Sequence, residues 1–528
     1  MQAPVVSIPE RFNVAAHFVD EQIRQGRGGR VAIHHEEKTY TYQDVFEMVN
    51  RAGHMLRGLG VEMEQRVMLL LLDSPEFVAS FFGAIKIGAV PIPANTLLRP
   101  PDYEYLLNDS RAKALIVHEA LWPGIEPIRD RLPHLRHVIL VGPERGGLLS
   151  YEALMARAPR ELEPADTRRD DVAFWLYSSG STGFPKGAVH LHHDMVYCAE
   201  LYAKPVLGIG EADVTFSAAK LFFAYGLGNN LYFPFSVGAA CVLYPGRPLA
   251  EKMFELVARH RPTIFYGVPT LYAAMLQVAE AEERADPAAR GLGRAPFASV
   301  RRCVSAGEAL PAPLFERWKQ RFGLEILDGI GSTEALHIFI SNRPGEARPG
   351  SSGRIVPGYE ARIVDEEGRE VPPGEVGNLL IKGDSTAPYY WNKHEKSRQT
   401  MLGEWLVTGD KYARDAQGYF TYAGRSDDML KVGGIWVSPV EVESTLMAHP
   451  AVLEAAVVGQ MDEDRLVKPR AYVVLKPGHP GTPELAAELQ AFVKDKIAPY
   501  KYPRWLEFVP ELPKTATGKI QRFKLRDG

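Results

Sequence analysis

Mostly apolar runs four to six residues long recur between longer stretches of helical periodicity over about the first 420 of 528 residues. They fall at 67–72, 114–117, 138–141, 172–177, 239–243, 263–266 and 300–304. A strand that is apolar on both faces must be covered on both, so this texture predicts largely parallel sheets between layers of helices, an α/β architecture. Thr41-Tyr-Gln-Asp44 is placed to cap a helix carrying Val45, Met48, Ala52 and Leu56 on one face, and residues 75–87 read as another helix.

The length exceeds what one hydrophobic core supports, so two or more domains are expected. Past residue 350 the pattern shifts to short strands at 362–364, 376–381 and 418–422, separated by Glu367-Gly368 and Pro373-Gly374 turns. That suits a smaller, β-barrel-like part of the same large domain. Gly424-Arg-Ser-Asp-Asp428 is polar and turn-like, as a joint between domains would be. Beyond it, strands at 452–458, 471–475 and 505–508 and a helix at 483–497 make a small α+β domain. The expected division is therefore 1–425 and 426–528. Residues 279–289, rich in Ala, read as a surface helix end or loop.

A net charge of −4 gives no electrostatic reason to expect nucleic acid. The apolar runs are far shorter than the roughly 20 residues that span a bilayer, so no membrane is expected. The N-terminus lacks the basic start and apolar centre of a signal peptide. Three cysteines, Cys198, Cys241 and Cys303, have no metal-ligand spacing, which favours a reducing cytoplasm.

The chemistry begins at Tyr177-Ser-Ser-Gly-Ser-Thr-Gly-Phe-Pro-Lys186-Gly187. Ser178, Ser179, Gly180, Ser181, Thr182 and Gly183 offer backbone N–H groups and hydroxyls directly after a strand, and Lys186 adds a full charge. That is the composition of a phosphate cradle. It is not a Walker A loop, which ends Gly-Lys-Ser/Thr. In Asp328-Gly-Ile-Gly-Ser-Thr-Glu334, Thr333 offers a hydroxyl to phosphate and Glu334 a hard oxygen ligand for Mg²⁺. The plainer alternative is a turn leading into a helix N-terminus with a first-turn acid. Asp410 in Thr408-Gly-Asp410 can take two hydrogen bonds from a ribose diol, reinforced by Arg425. His190-Leu-His192-His193 invites a metal reading, set aside because no acid or cysteine completes a ligand set.

Taken in order, these motifs resemble the AMP-forming acyl-adenylate superfamily of acyl- and aryl-CoA ligases, peptide-synthetase adenylation domains and firefly luciferase. The resemblance extends from about residue 35 to Lys524. It implies that residues 177–187 hold the β- and γ-phosphates of ATP, Thr333 the α-phosphate, Glu334 magnesium and Asp410 with Arg425 the ribose. It assigns Ala306, Gly307 and Glu308 to one side of the adenine, and Asp328 and Gly329 to the other. In the family, the segment after the phosphate loop runs into a helix. Lys519, in Pro513-Lys-Thr-Ala-Thr-Gly-Lys519, would reach from the small domain to the acid and the α-phosphate. There a cation offsets the repulsion between a carboxylate and a polyphosphate. Asp427 aligns with the hinge on which a mobile C-terminal lid turns. Lys431, Gly433, Gly434 and Trp436 align with the passage for the pantetheine arm of coenzyme A.

The same resemblance puts the acid pocket at Ala224, Tyr225, Tyr266, Gly267, Ile330 and His337. Those positions are aromatic, small or apolar, and a flat apolar slot suits an aromatic ring. No acidic residue lies within 221–227 to pair with the ammonium of an amino acid. Phe-Phe-Ala-Tyr-Gly-Leu-Gly at 222–228 with Ala335-Leu-His337 resembles benzoate-CoA ligases. The expected reaction joins benzoate to coenzyme A through benzoyl-AMP, by a monomer or homodimer in the cytoplasm. A 4-hydroxy- or 2-aminobenzoate ligase, with His337 as polar partner, and a module that loads a carrier protein are the alternatives.

Overall fold

A computed structural model describes residues 4–178, 184–285, 296–426, 428–432, 435–463, 466–514 and 520–526. Its largest sheet has nine strands. The central ones run parallel in the order Ile326–Gly331, Arg302–Ser305, Ile264–Gly267, Val214–Ser217, Ala240–Leu243 and Val31–His35. Ile338–Ser341, Arg354–Ile355 and Lys38–Thr41 are antiparallel additions at the edges. A second, fully parallel sheet of five strands joins Val90–Pro93, Arg66–Leu70, Ala114–His118, His137–Val141 and Leu149–Ser150. The parallel α/β expectation therefore holds for both sheets.

Thr41 caps the helix Tyr42–Gly58 through a reciprocal capping box with Asp44, a contact worth about 1 kcal/mol. Val45, Ala52 and Leu56 are buried on its inner face. This helix meets Pro75–Lys86 where a Cβ on Gly83 would lie 2.9 Å from the Gly53 nitrogen. Only two glycines allow that approach.

Three readings change. The apolar run at 172–177 is a strand, Val172–Ser178, but it belongs to neither parallel sheet. It pairs antiparallel with Lys186–Leu191, so the segment after the phosphate loop is a strand before the short helix Asp194–Cys198. The strand at 326 continues to Gly331 and turns back into Ile338–Ser341, so no helix begins at Thr333. Sequence periodicity also missed the ten-residue strand Trp405–Arg414. With Glu360–Val364, Gly377–Lys382, Met401–Leu402 and Phe420–Arg425 it forms a five-stranded antiparallel sheet.

Towards the C-terminus, Val452–Met461, Val467–Leu475 and Trp505–Phe508 form a three-stranded sheet backed by Pro439–Met447 and Pro483–Lys496. Its core runs from Leu430, Val432 and Val437 to Leu489 and Val493, separate from the large core. The Ala-rich segment continues the helix Pro269–Ala285; residues 286–289 lie outside the described residues. No described helix is long and apolar enough to cross a membrane.

Candidate active site

The β-hairpin is the base of the site. Ser178 and Lys186 face each other across its last described rung, on either side of the loop. Both shoulders are tied to one helix, Pro100–Ser110. The Tyr177 hydroxyl donates to Asp109 at 2.8 Å, and the Tyr105 hydroxyl to the Pro185 carbonyl at 2.9 Å. Ser179, Gly180, Ser181, Thr182 and Gly183 lie outside the described residues. Lys186 is half-buried; burial lowers its affinity for a proton, while the Glu334 carboxylate raises it.

Thr333 and Glu334 sit in the turn after Ile326–Gly331, fixed from three directions. His190 Nε2 lies 2.8 Å from the Thr333 carbonyl, the Ala387 amide donates to the Glu334 carbonyl at 2.7 Å, and the Tyr390 hydroxyl donates to Glu334 Oε1 at 2.7 Å. Leu336, buried in the same turn, has φ +68°, a left-handed conformation costing about 1–2 kcal/mol outside glycine. The strained backbone lies where phosphate and metal contacts are expected.

Asp410 lies inside the strand Trp405–Arg414 rather than at a strand end, directly across from Arg425. Arg425 Nη1 donates to Asp410 Oδ1 and to the Thr408 carbonyl, both at 3.1 Å. Gly409 has φ +75°, and a Cβ there would stand 2.8 Å from Arg425 Nη2. Glycine is thus required by both the conformation and the ion pair.

On the adenine side, Ala306 is buried at the end of Arg302–Ser305, and Gly307 turns the chain at φ +94°. Asp328 pairs in register with Ser305, and its carbonyl accepts from the Asn342 amide. Burial raises its carboxyl well above the usual range, and its Oδ1 has no hydrogen-bond partner among the described residues. A Cβ on Gly329 would lie 2.8 Å from the Ile340 carbonyl. Glu308 Oε1 accepts from the Ile520 amide at 3.2 Å, bringing the C-terminal segment onto this loop. Lys519, the preceding residue, lies outside the described residues, as do Asp427, Gly433 and Gly434. The backbones of Lys431 and Trp436 pair across the ladder of Leu430–Val432 and Ile435–Val437.

Of the expected acid-pocket residues, Tyr266, Gly267 and His337 meet Tyr225. Its hydroxyl donates to the Gly267 and Val304 carbonyls at 3.3 and 3.2 Å, and its ring meets Tyr266 edge-on at 6.2 Å. His337 Nε2 approaches the Tyr225 carbonyl at 3.3 Å and Asn229 Oδ1 at 3.2 Å. Both are acceptors, so Nε2 carries the hydrogen and Nδ1 is a lone-pair acceptor. That atom is buried with no partner among the described residues. Burial depresses the imidazole to about 3, so it stays uncharged near neutrality. Ala224 and Ile330 are half-buried against the large core.

Two of the three imidazoles after the phosphate loop, His190 and His193, flank one carboxylate, Asp194. His190 pairs with Asp194, an acid four residues on that the sequence reading passed over; the Nδ1–Oδ2 distance is 2.7 Å. His192 Nδ1 accepts from the Val14 amide at 3.0 Å, and His193 lies near Asp170. Burial lowers the His192 pKa from 6.5 to about 4. The unfolded chain therefore takes up a proton below about pH 6.5 that the folded chain refuses until about 4. Stability from this group is full above that window and falls as pH drops through it, by roughly 3 kcal/mol in all. Urea denaturation of wild type from pH 7 to 4.5 should show a slope to which His192 and His337 both contribute, and His192→Gln should reduce it without abolishing it. An equal slope in both would assign the acid sensitivity to other groups.

Tyr390, His190, Asp194 and Asp109 were missed. The i, i+4 spacing of His190 and Asp194 was a legible signal, and so was the aromatic run Tyr389-Tyr390-Trp391. Asp109 gave none, since its partner Tyr177 is 68 residues away.

The family model of AMP-binding enzymes matches residues 19–391, and that of the AMP-binding enzyme C-terminal domain matches 441–519. The chain belongs to the AMP-binding enzyme family. Within the family it is 53% identical over 525 residues to a benzoate-CoA ligase of Thauera aromatica, covering 99% of this chain and 97% of the relative. A 4-hydroxybenzoate-CoA/benzoate-CoA ligase of Rhodopseudomonas palustris is 46% identical over 98% of this chain and 94% of its own. Among solved structures, a benzoate CoA ligase from Burkholderia xenovorans LB400 superposes with a TM-score of 0.89 at 51% identity, covering 98% of this chain and all of that one. An anthranilate CoA ligase bound to anthranoyl-AMP gives 0.92 at 50% identity, covering 98% of each chain.

Proposed function

We propose that the protein is an ATP-dependent, AMP-forming benzoate-CoA ligase. One observation carries this reading: four separated elements (the hairpin at Lys186, the turn at Thr333–Glu334, the Asp410–Arg425 pair and the aromatic cluster around Tyr225) occur together in a chain similar to ligases of benzoate. In the first half-reaction a benzoate oxygen attacks the α-phosphorus of ATP and pyrophosphate leaves. In the second, the coenzyme A sulfur attacks the acyl carbonyl, the thiol proton is lost and AMP departs. Asp410 and Arg425 would orient the ribose, Ala306 to Glu308 with Asp328 and Gly329 the adenine, and Thr333 the α-phosphate. Lys186, with Ser178 and residues 179–183, would take the leaving pyrophosphate, and Lys519 the charge on the reacting atoms.

Mg²⁺ fits the donor set. Oε2 of Glu334 accepts no hydrogen bond among the described residues, and magnesium commonly uses one or two carboxylates plus substrate phosphates. When bound to Glu334 and ATP, it would neutralise phosphate charge. We place the joint near Asp427, because the small core starts at Leu430. The Ile520–Glu308 contact fits the arrangement in which Lys519 serves adenylation, and rotation at the joint would then bring residues 431–436 to the site for thioester formation. Three buried, unpaired cysteines suit the cytoplasm.

A second reading is favoured by His337 Nδ1. An unpartnered buried acceptor would welcome a ring hydroxyl or amine, as in 4-hydroxy- or 2-aminobenzoate. A panel of benzoate, 4-hydroxybenzoate, 2-aminobenzoate, phenylacetate and a fatty acid, assayed with ATP and coenzyme A for AMP release, decides. We expect kcat/KM to be highest for benzoate. A preference for an aliphatic acid, or turnover without coenzyme A, would sink the proposal.

A further inference from the structure

Tyr390 belongs to none of the motifs read from the sequence, yet it touches two of them. Residues 389–391 lie along the edge of the two-stranded hairpin, joined to it by an isolated bridge. Tyr390 bridges Ala188, the Val189 amide donates to the Tyr389 carbonyl at 3.2 Å, and the Trp391 amide to the Gly187 carbonyl at 2.9 Å. The Ser397 hydroxyl accepts from the Tyr390 amide at 2.9 Å and fixes its backbone further. The ring is buried and packs with Ala188, Ala387 and Met401. From this anchored position the hydroxyl reaches Glu334 Oε1 at 2.7 Å, and the ring face stands 5.1 Å from Lys186 Nζ.

The two contacts differ in kind. The hydroxyl bond is to a charged acceptor and is directional, so it selects which carboxylate oxygen is occupied. The ring contact is electrostatic attraction of an ammonium by a π face, worth about 0.5–2 kcal/mol according to how dry the site is. Glu334 and Lys186 also attract each other. Without a partner between them they would be drawn to pair, and each would be lost to a polyphosphate ligand.

We propose that Tyr390 is a positioning residue for adenylation: its hydroxyl holds Oε1 of Glu334 so that Oε2 faces the metal–nucleotide, while its ring keeps Lys186 beside the same carboxylate without an ion pair forming. This rests on the assignment of Glu334 to magnesium and Lys186 to phosphate under the proposed function.

Tyr390→Phe removes the hydroxyl and leaves the ring, its packing and the Lys186 contact. The test titrates Mn²⁺ into the full chain with α,β-methylene-ATP, which cannot release pyrophosphate, and reads free Mn²⁺ by electron paramagnetic resonance. We expect affinity in Tyr390→Phe to fall about 10-fold, at the low end for loss of a partner behind a metal ligand. The KM for benzoate and the melting temperature should be unchanged. In a Glu334→Gln background, Tyr390→Phe should add nothing. Unchanged Mn²⁺ affinity in Tyr390→Phe, beside a wild type that binds, overturns the inference alone. So does a loss matched by equal changes in benzoate KM and melting temperature, the mark of a packing role. A wild type that binds no Mn²⁺ with the nucleotide, or a Glu334→Gln that binds as wild type does, overturns the magnesium assignment and the inference with it.

Discussion

Lys519→Ala is expected to slow benzoyl-AMP formation by about 100- to 1,000-fold, the range for removing one donor aimed at developing transition-state charge. A carboxylate approaching a polyphosphate is repelled at every distance, and among the described residues the hairpin supplies Lys186 as a cation for the phosphates. Ile520 is already bonded to Glu308, so the described C-terminal segment that begins there meets the adenine-side loop. Benzoate-dependent exchange of pyrophosphate into ATP measures this half-reaction. Thioester formation from supplied benzoyl-AMP, followed as coenzyme A consumption, should stay within about twofold, because the lysine is needed only for the first step. Equal loss in both assays would mean that one fixed arrangement serves both half-reactions.

Asp410→Ala should raise the KM for ATP by about 100-fold or more. Two hydrogen bonds from a ribose diol to a carboxylate are each worth roughly 1.5–3 kcal/mol, and 1.4 kcal/mol is tenfold in affinity. Asp410 is largely buried and already oriented by Arg425, so little ordering opposes those bonds. Asp410→Asn keeps the shape and one acceptor and should fall in between. The KM for coenzyme A should not move. If both variants lowered the melting temperature and left the KM for ATP unchanged, the pair would be a structural strut of the sheet.

Elements set by local chemistry were legible in the sequence. Thr41 and Asp44 define a helix start within four residues, and the parallel strands announce themselves because both faces are apolar. The hairpin was misread because Val172–Ser178 looks like any buried strand, and its partner's direction depends on a loop that bends back. Trp405–Arg414 escaped because it carries Gly409, Asp410, Lys411 and Arg414 and is broken by a bulge, which erases a period of two. Within the site, the residues expected to touch ligand were readable from motif chemistry. The contacts that hold them were not: Tyr390 lies 56 residues from Glu334, and His190 lies 143 from Thr333. No local pattern encodes a contact of that span.

The bridge that residues 389–391 make to the hairpin edge also sets a clock. The phosphate-loop hairpin ends at Leu191, but Tyr390 and Trp391 close its edge only when some 200 more residues have been made. At about 5–20 residues per second, that leaves the edge uncovered on the ribosome for roughly 10–40 s. Asp410 and Arg425, the residues expected to hold the ribose, are made later still, so the whole expected nucleotide site is not available to assist folding during that interval.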